Sequence, residues 1–220
     1  MTGIYKTPKI YESDAVGSIY NGGSSELSYV IGGRRYRCVE IGGKIWMAEN
    51  LDFKFDGCSI GSTNWSSSSP SAAYYNDDEA TYGIDGARKC GVLYNWFATK
   101  YLEDNKSTLI PGWHVPTRDE LNTLNYVGNE PGTMLKALDY SVASGTWPTN
   151  WNGTDDYGFG FLPAGFYTGT FVQLNNYGAV WSCTSYTETH AWRRRFGKTS
   201  EIVRDTFSKT SGLSVRLIKD

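Results

Sequence analysis

The groups in this chain that could do chemistry are two histidines, four cysteines and two acidic clusters, and their spacing argues against an active centre. His114 lies in Gly112-Trp-His-Val-Pro116, just ahead of a helix start, where a structural hydrogen bond is expected. His190 stands beside a row of tail residues and is read as a contact residue. No Ser-His-Asp or Cys-His order is legible, so no general base is assigned. Cys38, Cys58, Cys90 and Cys183 are widely spaced and form no CxxC pair, which argues against zinc and against a thioredoxin-like motif. Reduced, partly buried thiols are expected, with a Cys58–Cys90 bridge as the alternative. Asp77-Asp-Glu79 and Asp155-Asp156 could offer oxygens to a hard cation, but solvated acidic loops are the simpler expectation. No catalytic residue, resident metal or cofactor is therefore expected.

The elements that must position any site are drawn from a globular composition. The chain has 220 residues, 40% hydrophobic and 15% aromatic, with sixteen Tyr, eight Trp and twenty-five Gly, a mix suited to a loop-rich fold with a core of large rings. A formal net charge of -2 gives no electrostatic reason to expect nucleic acid or an anionic membrane as partner. No apolar run approaches the roughly 20 residues of a membrane helix. The opening Met1-Thr-Gly-Ile-Tyr-Lys6 lacks the apolar stretch of a secretory signal, so neither membrane insertion nor a leader in this chain is expected.

Residues 1–28 are polar and aperiodic and are read as an arm for attachment or homo-oligomerisation. One domain, 29–220, follows. Tyr29 to Ile31, Arg34 to Ile41 and Lys44 to Met47, separated by Gly32-Gly33 and Gly42-Gly43, predict a meander. Residues 54–90 form a loop long enough to be functional or self-packed. Helices are expected over Gly91 to Tyr101, from Thr117 with a Thr117/Glu120 capping box until Gly128, and around Thr133 to Leu138. Short strands are expected over Phe159–Leu162, Gly165–Thr168, Val172–Leu174 and Ala179–Cys183. The fold class is α+β, with two main helices, mixed and antiparallel sheets, and chain ends that lie close.

The tail concentrates the functional signal. A period of two along Ala191-Trp-Arg-Arg-Arg-Phe-Gly197 places Trp192, Arg194 and Phe196 on one face, read as anchors, and Arg193, Arg195 and Gly197 on the other, read as open. Leu213, Val215 and Leu217 alternate with Ser214 and Arg216 as a half-buried closing strand.

Five strings appear in order: Val39-Glu-Ile-Gly-Gly-Lys-Ile-Trp-Met-Ala-Glu-Asn-Leu51, Gly91-Val-Leu-Tyr-Asn-Trp96, Pro111-Gly-Trp-His-Val-Pro-Thr117, Gly158-Phe-Gly-Phe-Leu-Pro-Ala-Gly165 and Trp181-Ser-Cys-Thr-Ser-Tyr186. Together, over about residues 29–220, they resemble the Fibrobacter succinogenes major paralogous domain. That resemblance implies a C-type-lectin-like fold, found in surface proteins and phages of gut Bacteroidetes. It also implies a likeness to the variable proteins of diversity-generating retroelements, whose C-terminal frame is matched by Trp181-Ser-Cys-Thr184, Ala191-Trp-Arg-Arg-Arg195 and Gly212-Leu-Ser-Val-Arg216. Positions such proteins commonly vary correspond to Thr187, Thr189, Arg193, Arg195, Gly197, Thr199, Arg204 and Thr206; an ordinary diverged paralogue fits the same residues. Trp46, Trp96, Trp113, Trp181 and Trp192 lie in family-like strings and are expected in the core, whereas Trp65, Trp147 and Trp151 lie in polar loops and suit either packing or binding. Lectins that bind sugar through calcium carry Glu-Pro-Asn or Gln-Pro-Asp and a Trp-Asn-Asp. Asn129-Glu-Pro-Gly132 and Trp151-Asn-Gly153 break at the ligating residue, so that mode is not expected.

The expected function is non-enzymatic recognition of a host-surface protein or glycan by a C-terminal face within 181–212, made of Tyr186, Thr187, Thr189, His190, Arg193, Arg195, Gly197, Thr199, Arg204 and Thr206. Tyr and Arg weigh most, since they dominate interface hot spots. A phage virion or the bacterial surface is the expected location. The alternatives are a cell-surface adhesin or glycan-binding lipoprotein module, and a formylglycine-generating-type oxidase, which would need two converging cysteines.

Overall fold

The computed structural model describes residues 27–138 and 153–220. The expected arm lies outside the described residues except at its end, where Leu27 and Ser28 already belong to the first strand; Trp147 and Trp151 also lie outside. The meander is present as β1 (Leu27–Ile31), β2 (Arg34–Ile41) and β3 (Lys44–Met47). Its four turn glycines all have φ between 60° and 80°, the left-handed backbone that tight hairpins demand.

The long loop is self-packed. It contributes β4 (Ser59–Ile60), β5 (Ser71–Ala73) and the short α1 (Glu79–Tyr82). The Asp77 carboxylate accepts from the backbone and hydroxyl of Ser62, Asp78 caps α1, and Glu79 pairs with Lys54, so the acidic run serves the loop itself. The helix expected from Gly91 begins later. Leu93–Tyr94 form β6 against β5, and the Asn95 side chain accepts from Ala98 N–H at 2.8 Å, capping α2 (Trp96–Asp104). After α3 (Lys106–Leu109) and β7 (Trp113–His114), the Thr117/Glu120 capping box opens α4 (Arg118–Thr123). A tighter turn, Leu124–Tyr126, replaces the last part of that expected helix. The third helix is α5 (Pro131–Leu135), shifted forward because proline sits easily in a first turn.

The C-terminal half supplies β8 (Ala164–Tyr167), β9 (Phe171–Leu174), β10 (Gly178–Ser185), β11 (His190–Phe196), β12 (Val203–Ser208) and β13 (Ile218–Lys219). The strand expected at Phe159–Leu162 is reduced to Phe161 bridging Lys136. The sheets run β1-β2-β3-β13-β7, β10-β11-β12, β4-β5-β6 and β8-β9, an α+β arrangement. No helix among the described residues is long and apolar enough to cross a membrane.

Residues 212–218 act as a spine rather than a half-buried strand. Gly212 exchanges backbone hydrogen bonds with Tyr167, Leu213 with Tyr94, and Ser214 bonds Ala179 and Trp181. Leu51 N–H then donates to Val215 and Met47 N–H to Leu217, before Ile218 pairs with both Trp46 and His114. Contact on both sides corrects the expected alternation: every residue from Ser211 to Ile218 is buried. Arg216, 1% exposed, meets its donors' needs with the Asn50 side chain at 2.9 Å, Gly160 carbonyl at 3.0 Å and Phe159 carbonyl, between the Phe159 and Phe161 rings.

Trp46, Trp96, Trp113 and Trp181 are buried as expected, and two of them donate to buried carbonyls: Trp96 to Ser182 at 3.0 Å and Trp181 to Tyr94 at 2.8 Å. Trp192 is not among them; it is half-buried. Trp65 packs on Tyr167 and donates to Thr210 at 2.7 Å, which ties the long loop to the tail.

Candidate functional site

The sheet β10-β11-β12 and its connections carry the expected tail residues, and the β10–β11 hairpin tip carries four of the six exposed ones. Ser185 to His190 are all exposed, Tyr186 to 60%. The backbone beneath them is pinned. Tyr186 and Thr187 N–H donate to His190 carbonyl at 2.9 and 3.0 Å, His190 N–H donates to Thr187 hydroxyl at 3.0 Å, and Lys209 N–H donates to Thr189 carbonyl at 2.8 Å. Three of these four bonds are backbone to backbone and survive a change of side chain; the Thr187 hydroxyl is the exception. The His190 ring meets Thr189 hydroxyl at 2.9 Å.

Along β11 the period of two holds, but the assignment of an open face does not. Ala191, Arg193 and Arg195 share a face with Val203, Asp205 and Phe207, their direct partners on β12. That face is covered. Arg193 is only 6% exposed, its guanidinium 3.7 Å from the Phe207 ring centroid and 5.3 Å from that of Phe166, and it grips Asp205 through Nε (2.7 Å) and Nη2 (3.0 Å). Burial pulls its pKa down, with Asp205 opposing. Arg195 is half-buried over Tyr177 at 4.8 Å, and Gly197 is buried where an added Cβ would meet the Tyr177 ring at 2.6 Å. Arg193 and Gly197 are therefore frame, because β8 and Tyr177 close over a face that alternation alone leaves open.

The opposite face holds His190, Trp192, Arg194 and Phe196. Phe196 stacks on Phe161 at 3.9 Å. Arg194 is fully buried beneath α4 and donates to Arg193 carbonyl at 2.8 Å, Arg118 carbonyl at 3.3 Å and the Asn122 side chain. Burial, then Arg204 directly across the sheet, lower its pKa to about 10. Trp192 emerges beyond the helix, edge to face with Tyr186 at 5.1 Å, with the Arg118 guanidinium 5.7 Å from its ring. Thr206 is half-buried opposite Trp192, Arg204 is exposed, and Thr199 is exposed in a turn anchored by Asn125, which donates to Ile202 carbonyl at 2.8 Å. Arg118 and the exposed Glu188 were missed by sequence reasoning. Arg118 sits in a helix read only for its cap, and no local pattern places it beside the tail.

His114 and the cysteines complete the candidate groups. His114 Nδ1 meets Asp220 at 2.6 Å and Nε2 meets Glu120 at 3.0 Å, joining the spine's end to the start of α4. Cys38, Cys58, Cys90 and Cys183 are free thiols. Burial pushes the first three up to about 12 and Cys183 to about 11. Among the described residues no three His, Cys, Asp or Glu side chains come together to hold a metal ion.

An α+β domain that stitches its tail through several sheets and offers a pinned, exposed hairpin is the class of protein this structure defines. The chain belongs to the Fibrobacter succinogenes major domain family, which matches residues 39–219. No curated protein matches the chain.

Proposed function

We propose that this protein is a non-enzymatic recognition module with a C-type-lectin-like scaffold, a variable protein of the diversity-generating-retroelement kind carried on a phage virion or bacterial surface, whose β10–β11 tip and adjoining edge of β12 contact a host-surface protein or glycan. The observation that carries it is the pinned tip: six successive exposed residues on backbone held by the N–H groups of Tyr186, Thr187 and His190 and by the Thr189 carbonyl. Pre-ordered backbone lowers the entropy lost on binding, so affinity is set by side-chain choice. Thiols held far above neutral pH support the non-enzymatic reading over an oxidase that needs thiolate. Tyr186, Thr187, Thr189, His190, Arg204 and Thr199 keep their proposed contact role; Arg195 and Thr206 contribute at the margin.

The test is a triple variant, Tyr186→Ala, Thr189→Ala and His190→Ala, assayed for adhesion to a panel of gut Bacteroidetes cells. The melting temperature should move by no more than about 2–4 °C, as expected for exposed sites. Adhesion should be lost, and undiminished adhesion would refute the assigned tip.

A further inference from the structure

We propose that the ligand is an acidic polysaccharide, taken without calcium on the Trp192 face of the sheet, where Tyr186 and Trp192 receive a pyranose ring and Arg118 and Arg204 receive its carboxylates. This rests on the recognition reading above and names the chemistry of its ligand.

Four features of that face converge. Tyr186 and Trp192 form an edge-to-face pair at 5.1 Å, their planes 71° apart and Tyr186 60% exposed, an angled apolar corner against which a sugar's C–H face can rest. Arg118 flanks the Trp192 ring, and its own partner Asp119 is highly exposed, so the pair holds little energy against exchange for a ligand carboxylate. Arg204 is exposed and forms no ion pair among the described residues. Beneath it Arg194 is fully buried with only neutral acceptors, two backbone carbonyls and an amide, and its Nε has no partner.

Arg194 and Arg204 stand directly opposite each other on adjacent strands, an arrangement of like charges that costs stability. A carboxylate settling between Arg118 and Arg204 would add to the counter-charge of Asp119 and Asp205, by contact to the exposed pair and through the field to Arg194. The chain as a whole carries a net charge of -2, so this positive patch is local. An acidic peptide would satisfy the guanidinium groups and leave the rings uncovered; a neutral glycan would do the reverse. Thr206, opposite Trp192, adds a hydroxyl for hydrogen bonding on the same face.

The experiment measures binding of the full chain to polygalacturonate, alginate, hyaluronan and polysialic acid, with dextran and polyglutamate as controls, in the presence of a chelator. At least one polyuronate or polysialate should bind at least tenfold more tightly than either control, and added salt should weaken it. Tyr186→Ala and the pair Arg118→Gln with Arg204→Gln should each cost about tenfold or more, whereas Lys44→Ala, on a distant strand, should not. Equal binding of polyglutamate would overturn the sugar assignment, and loss on chelation would overturn the calcium-free mode. Unchanged binding in the arginine pair would overturn the site. If none of the four acidic glycans binds while the tip variant still abolishes cell adhesion, the ligand class is refuted and the recognition function stands.

Discussion

Replacing Arg193 by alanine decides whether the first arginine of the tail is frame or display. Its guanidinium is almost fully buried, lies against two aromatic rings and holds Asp205 with two hydrogen bonds. Loss of one partner of a buried pair costs about 3–5 kcal/mol, and desolvated cation–π contact adds about 2. Asp205 is 32% exposed and retains Arg195 at 3.7 Å, which cuts the pair's share to about 1 kcal/mol and leaves about 3 kcal/mol in all. For a domain of this size that corresponds to a fall in melting temperature of about 6–12 °C. Chemical denaturation of Arg193→Ala, Asp205→Ala and the double variant should give a coupling energy of about 1–3 kcal/mol. Arg193→Lys should recover little, because an ammonium cannot reproduce the planar fork. A stability within about 0.5 kcal/mol of wild type for Arg193→Ala would refute the reasoning and return the residue to the display surface.

Two further outcomes test the frame. Arg216→Ala should cost about 3–5 kcal/mol in denaturant unfolding, since it strands the Asn50 side chain and the Phe159 and Gly160 carbonyls; Arg216→Met, which fills the volume and removes the charge that burial lowers to about 9, should cost less. Glu120 is the acid-sensitive point. Burial alone would raise its carboxyl, but Thr117 N–H, His114 and the Thr117 hydroxyl outweigh it and leave the pKa below 4.5. A depressed folded value means that the carboxylate's stabilisation is present above about pH 4.5 and is lost as pH falls through the folded value. Glu120→Gln should be less stable by about 1 kcal/mol at pH 7, with the gap narrowing below about pH 4 in pH-resolved melts.

What the sequence made legible was local. The Gly-Gly turns demanded their hairpins, and Thr117 with Glu120 demanded its helix start, because each signal lies within a few residues of its consequence. The α2 start was misplaced because Leu93 and Tyr94 read equally well as helix until β5 claims them. The face of β11 was misread for a longer-range reason. Alternation fixes which side chains share a side, but whether that side is wet depends on β8 and Tyr177, which come from elsewhere in the chain. The spine residues Ser214 and Arg216 looked exposed for the same cause: polar alternation implies water only where no second layer lies beyond it.

The arginine triplet shows how closely exposed and framing positions are interleaved in the tail. Three consecutive identical side chains reach three environments: Arg193 between rings with a carboxylate, Arg194 under α4 with neutral acceptors, and Arg195 half-buried over Tyr177. Identical chemistry at successive positions thus carries different energetic freedom, set by what covers each face. Substitution at Arg193 or Gly197 is constrained by packing, and at Arg194 by the hydrogen bonds that fasten β11 to α4. Substitution at Tyr186, Thr187, Thr189 and His190 disturbs no buried group, only exposed contacts such as Tyr186 on Trp192 and Thr189 with His190. A tail free to vary along its whole length would not hold this sheet. The structure confines cheap change to the tip and the outer edge of β12, where altered side chains leave the fold intact.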